Sequence, residues 1–126
     1  MAGSPRQLHT QQIHFLRKGI TFADKLTTVT VGYIPAGSVV IKPMSGINVH
    51  TAFNGTAPQL LDIGTSVTTA VWATSLALST ATFVAFDETA SGYVASDTTV
   101  QAVVGGSGAT AGEVQILIAY IPNTDL

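Results

Sequence analysis

The chain contains no cysteine, which excludes a disulfide framework, a thiolate metal site and a thiol nucleophile. Charge is scarce as well: Asp, Glu, Lys and Arg make up 10% of the 126 residues, against about 25% in an average soluble domain. Long apolar runs are missing. The longest, Ile116 to Ile121, is about a third of what a membrane helix requires. The first residues, MAGSPRQLHTQQ, have no apolar stretch of the secretory kind, and Ala2 stands where a myristoylation signal needs glycine. Together these absences predict one soluble domain made in the cytoplasm, with no cofactor and no membrane partner.

Hydrophobic residues make up 46% of the chain. With so few charges, the exterior has to be built mostly from Thr, Ser, Ala and Gly, which protects poorly against association and predicts a homo-oligomer, dimer or trimer, or a place in a larger assembly. The net charge of −2 hides an asymmetry. All five basic residues, Arg6, Arg17, Lys18, Lys25 and Lys42, lie in the first 42 positions with only Asp24 to oppose them, a local +4, and the remaining acids give −6. Five cations spread over that length do not make the dense basic stripe of a nucleic-acid binder, so no nucleic-acid partner is expected.

The patterning is that of strands and turns. Val29, Val31 and Tyr33 alternate with Thr28, Thr30 and Gly32, as a half-buried strand does. Pro35-Ala36-Gly37 breaks the run with turn chemistry, a strand over Ser38 to Lys42 follows, and Ile47, Val49 and Thr51 alternate next. Asn54-Gly55 is a hairpin signal. Ile13, Phe15, Ile20 and Phe22 predict an earlier strand with a bulge or kink at Gly19. Residues 65–80 are ambiguous, since Ala70 to Ala73 suits a short helix as well as a strand. Further strands are expected at Thr82 to Phe86, Tyr93 to Ala95, Thr99 to Val104 and Glu113 to Ile121, the last two joined by a flexible glycine-rich hairpin loop, Gly105 to Gly112. The final run is apolar on both faces from Ile116, which places it centrally or at a subunit interface and nominates Leu117, Ala119 and Ile121 as oligomer contacts.

Short strands with turn signals about every 8 to 12 residues predict an all-β fold, an antiparallel two-sheet β-sandwich of jelly-roll type. Residues 1–25 are read as an extended N-terminal arm with the first strand, and residues 26–126 as the sandwich. Residues 1 to 11 have too little apolar surface to order alone. The arm carries Arg6, His9, Arg17 and Lys18, which are nominated as its docking residues for an acidic partner surface.

No catalytic or metal constellation emerges. His9, His14 and His50 lack ligand spacing, and Asp87-Glu88 reads as a solvated turn pair. Trp72, the single tryptophan, suits a core position, with a sugar-stacking platform as the alternative. Leu60 to Thr65, LLDIGT, is similar to the active-site turn of retroviral-type aspartic proteases, in which two aspartates share a proton. Ile63, however, stands where those enzymes carry a hydroxyl residue.

Gly32 to Val40 (GYIPAGSVV), Val49 to Asn54 (VHTAFN) and Leu61 to Thr65 (LDIGT), followed by Tyr93 to Val103 and Gly112 to Ile121, resemble in that order the decoration, or cement, proteins of tailed-bacteriophage capsids. The resemblance implies a jelly-roll virion protein on the capsid exterior, with the phage major capsid protein as its partner, stabilising the head by bridging subunits, and no catalytic residue. The alternative within the same fold is a virion fibre or glycan-binding module.

Overall fold

The computed structural model describes residues 13–24, 27–56, 59–68, 70–87, 91–106 and 108–122. Among the described residues nine strands run in the order β1 (His14–Thr21), β2 (Thr28–Ile34), β3 (Val39–Val40), β4 (Gly46–Thr51), β5 (Leu60–Thr65), β6 (Ala73–Ala77), β7 (Phe83–Ala85), β8 (Thr98–Gly105) and β9 (Glu113–Ile121). Among the described residues no helix is long and apolar enough to cross a membrane.

The topology is that of one long hairpin rolled on itself. The antiparallel pairs β5·β6, β4·β7, β2·β8 and β1·β9 are its rungs, read outward from the tip. Rolling then brings β9 against β4 and β8 against β5. The result is two packed sheets, β1-β9-β4-β7 with β3 attached to β9, and β2-β8-β5-β6. This path through an antiparallel two-sheet sandwich is the jelly roll. Alternate residues of the central strands meet between the sheets: Val114, Ile116 and Ile118 of β9 face Val100, Ala102 and Val104 of β8, all fully buried. Burying a side chain of this size contributes about 1.5 to 3 kcal/mol, so the core rests chiefly on these strands and on Ile47, Leu61 and Ile63 beside them.

Several local expectations change in the sandwich. The Val29, Val31, Tyr33 stripe is interrupted because the β2–β8 register shifts between Thr30 and Gly32. One extra residue reverses the facing of everything after it. Ile34 therefore turns into the core and Tyr33, 69% exposed, turns out. Gly19 carries no bulge, for β1 pairs residue by residue with β9 from His14 to Thr21. Residues 73–77 form a strand, β6, rather than a helix. The expected strands at Ser38 to Lys42 and Tyr93 to Ala95 shrink to Val39–Val40 and to a single bridge between Tyr93 and Val39.

Two turn readings also change. Asn54-Gly55 closes no hairpin, because β4 and β5 belong to different sheets. The Asn54 carboxamide instead accepts from the backbone N–H groups of Thr110 and Ala111 at 2.8 and 3.1 Å, and donates to the Thr110 hydroxyl at 3.0 Å. The glycine-rich segment after Gly105 is thereby pinned, with Ala109 buried, and it crosses between sheets instead of joining neighbours in one.

The Pro35-Ala36-Gly37 turn is present as expected. Ser38 N–H donates to the Pro35 carbonyl at 3.3 Å and Gly37 has φ of +83°, the geometry of a type II turn. Asp97 fixes it by accepting from Ala36 N–H at 2.9 Å. Gly37→Val should therefore cost about 1 to 3 kcal/mol, while Gly37→Asn should cost less, because asparagine tolerates this conformation. Urea denaturation of the two variants measures the difference, and equal midpoints would refute the assignment.

Candidate functional site

Among the described residues four acids, Asp24, Asp62, Asp87 and Asp97, each accept from a backbone N–H. Asp24 takes Thr21 N–H at 3.0 Å and Asp97 holds the proline turn. Asp62 and Asp87 act together on β6, whose register with β5 shifts beside Ser75, a residue held at φ of +56°. The irregular backbone needs acceptors for its amides. Asp62 Oδ1 accepts from Ser75 N–H at 2.7 Å, and Asp87 Oδ1 from Thr74 N–H at 3.2 Å. Asp62, the residue singled out by the protease-like LLDIGT turn, is thus a brace for the β6 bulge on the outer side of its sheet. Its neighbour Ile63 points into the core.

Trp72 is 2% exposed and packed in the core, so it offers no platform for a sugar ring. Of the residues nominated for docking, Arg6 and His9 lie outside the described residues. Arg17 and Lys18 follow one another along β1 and so point to opposite faces. Arg17 lies outward, its guanidinium donating to the Gln115 side chain at 2.9 Å. Lys18 stands in register with buried Ile116, on the core side of an edge strand, yet its side chain is exposed. An inward-directed lysine on a sheet edge hinders strand addition by another chain. The two cations therefore do not form one patch.

The nominated oligomer residues Leu117, Ala119 and Ile121 share the outer face of β9. Ala119 is already closed off: its N–H donates to Ser45 Oγ at 3.0 Å and its carbonyl accepts from Ile41 N–H at 2.8 Å. The hydroxyl of Ser45, a fully buried residue, in turn donates to the Ile41 carbonyl at 2.8 Å. Leu117 is half-buried and Ile121 exposed. Register places other apolar side chains on the same face. Phe15 pairs with Ala119, Val39 with Ile121, Tyr93 with Val39, and Phe83 stands across Asn48 from Gln115. Phe83 and Tyr93 were not nominated from the sequence. The available signal was Phe83-Val84-Ala85-Phe86, apolar at both parities like β9 itself.

The opposite outer face is different. Thr28, Thr30, Thr99, Gln101 and Asp62 give the β2-β8-β5-β6 sheet a polar exterior, with Tyr33 its exposed aromatic. The sandwich thus has one polar and one apolar outer face.

Among the solved structures that share this fold are the following two. A chain of the cyanophage Pam1 capsid asymmetric unit superposes with a TM-score of 0.70 at 16% identity, covering 95% of this chain and 91% of that one. A chain of the acidic stable capsid structure of Helicobacter pylori bacteriophage KHP30 does so with a TM-score of 0.70 at 14% identity, covering 86% of each. No protein-family model and no curated protein matches the sequence.

The bracing of β6 by a carboxylate is directly testable. Asp62→Ala should lower stability by about 1 to 2 kcal/mol by leaving the Ser75 amide without its acceptor, and Asp62→Asn, which keeps a carbonyl oxygen there, should lower it by less. Guanidinium denaturation of the two variants checks the order.

Proposed function

We propose that this protein is a structural component of a phage virion, a decoration protein that binds the capsid exterior as a homo-oligomer and stabilises the head by bridging major capsid protein subunits. The observation that carries the reading is the shared fold over most of both chains in two phage capsid structures. The order of the GYIPAGSVV, VHTAFN and LDIGT segments supports it, as does an exterior with few charges. The turn acids serve the backbone, in keeping with a structural and not a catalytic role.

Docking is assigned to residues 1–25, whose cations Arg6, Arg17 and Lys18 precede any acid. Contact with an acidic shell through this segment weakens as salt rises. Arg17, outward on β1, and Arg6 are the principal contacts. Lys18, on the other face, contributes to the local potential and blocks strand pairing.

Capsids lacking the protein, mixed with purified wild type, should become decorated at stoichiometric occupancy by cryo-EM and resist heating better than bare capsids. Deleting residues 2–11, or changing Arg6, Arg17 and Lys18 to Gln, should leave the melting temperature nearly intact and reduce occupancy relative to wild type, most strongly at low salt, where the wild-type contact is least screened. Decoration equal to wild type by both variants at every salt concentration would remove the arm as the docking element. Failure of the wild type to decorate would remove the reading itself. Peptide cleavage at acid pH should be absent from wild type and Asp62→Asn alike.

A further inference from the structure

A sandwich folded for itself alone needs only one apolar side per sheet, the side turned to the core. The β1-β9-β4-β7 sheet has two. Its outer face gathers Phe15, Val39, Phe83, Tyr93 and Ile121, five of the ten large hydrophobic side chains that are exposed among the described residues, around half-buried Leu117. Phe15 is 55% exposed and Phe83 50%. These residues come from four strands and one bridge far apart in sequence, and only the β-sheet register brings them to one surface.

Few charges stand on this face, and Lys42 lies beside it in the turn Lys42–Met44 between β3 and β4. Phe83 lies across Gly46, where a Cβ would come within 2.7 Å of the ring, so the sheet is recessed beneath the aromatic group. The one cation among its paired positions is Arg17, on the outermost strand and tied to Gln115. Glu113 stands at the opposite end of β9 from Ile121. Apolar groups at the middle with single charges at the margin are the arrangement of an interface core and its rim.

We propose that this face packs against the same face of a second copy, sheet on sheet, to form a twofold dimer. The inference deepens the homo-oligomeric part of the proposed function by naming the surface and its symmetry. A second copy fits for three reasons. A nearly uncharged face opposes no like charge when it meets itself, and it offers no cluster of one sign to select a differently charged partner. A sheet face is matched by another sheet face, packed about 10 Å away, and the chain itself provides one. The size suits a weak, concentration-dependent dimer: strands of eight, nine, six, three and two residues, at about 3.3 Å per residue and about 4.8 Å between strands, define roughly 450 Å² per copy, or about 900 Å² in all, the range of transient association. A face used against itself closes at two copies.

The experiment uses the full-length protein without capsids, so that it reads self-association separately from decoration. Sedimentation equilibrium of the wild type should give a monomer–dimer equilibrium that moves to dimer as concentration rises. Phe83→Glu and Phe15→Glu, substitutions at exposed positions, should each weaken the dimer by at least about tenfold with circular dichroism unchanged. Tyr33→Glu on the polar outer face should leave it intact. A monomer at all concentrations would overturn the proposal, as would a dimer insensitive to both phenylalanine substitutions or a stoichiometry other than two. If the wild type is monomeric while Phe83→Glu fails to decorate capsids, the face belongs to the shell contact instead. If the dimer forms as described and wild type does not decorate capsids, the dimer stands and the capsid reading falls.

Discussion

The fold depends on β9 being paired along both edges. It receives β1 on one side and β4 and β3 on the other, and its Val114, Ile116 and Ile118 fill the middle of the core. Because β9 is last in the sequence and β1 first, the sheet around it closes only when the two ends of the described chain meet. Such distant contacts carry a large loop-closure cost, which the buried apolar area of this strand has to offset. The rest of the rolled hairpin can then pack on the sheet that β9 completes.

Around that core the loops are held by short polar side chains that bond to backbone amides. Asn54 pins the glycine-rich crossing, Asp97 the proline turn, Asp62 and Asp87 the β6 bulge, and Ser45 the Ile41–Ser45 excursion beside Ala119. Each removes an unsatisfied donor at a place where the sheet ladder is interrupted. A chain with 10% charged residues has directed much of its negative charge to this purpose, which leaves an exterior governed by neutral side chains. Attraction to a partner then depends on shape and apolar contact, with the basic N-terminal residues as the exception.

The two exteriors differ in how they can meet other surfaces. The threonine-rich face can meet water with little tendency to associate, whereas the face around Leu117, Phe15 and Phe83 has unmet apolar area. Self-association through that face would present two arms to a shell at once. Two weak contacts on one particle act with a high effective concentration, so a bridging protein can attach firmly through individually modest, salt-sensitive contacts.

The sequence by itself determined the strand-rich class, the two-sheet sandwich, the turn at Pro35 to Gly37 and the full extent of β9, because these follow from alternation, turn residues and a run apolar on both faces. It also separated Trp72 as a core candidate and nominated Leu117, Ala119 and Ile121 as contact residues. Tertiary structure alone decided the phase of β2 after its bulge, the role of Asn54, the strand at residues 73–77 and the closing of Ala119 by Ser45. A bulge changes which side every later residue faces, and a side chain's partner across the sheets is fixed by pairing between segments that local patterns do not connect. The apolar outer face was hidden for the same reason: Phe15, Val39, Phe83 and Tyr93 become neighbours only when register aligns their strands on the two edges of β9 and beyond β4.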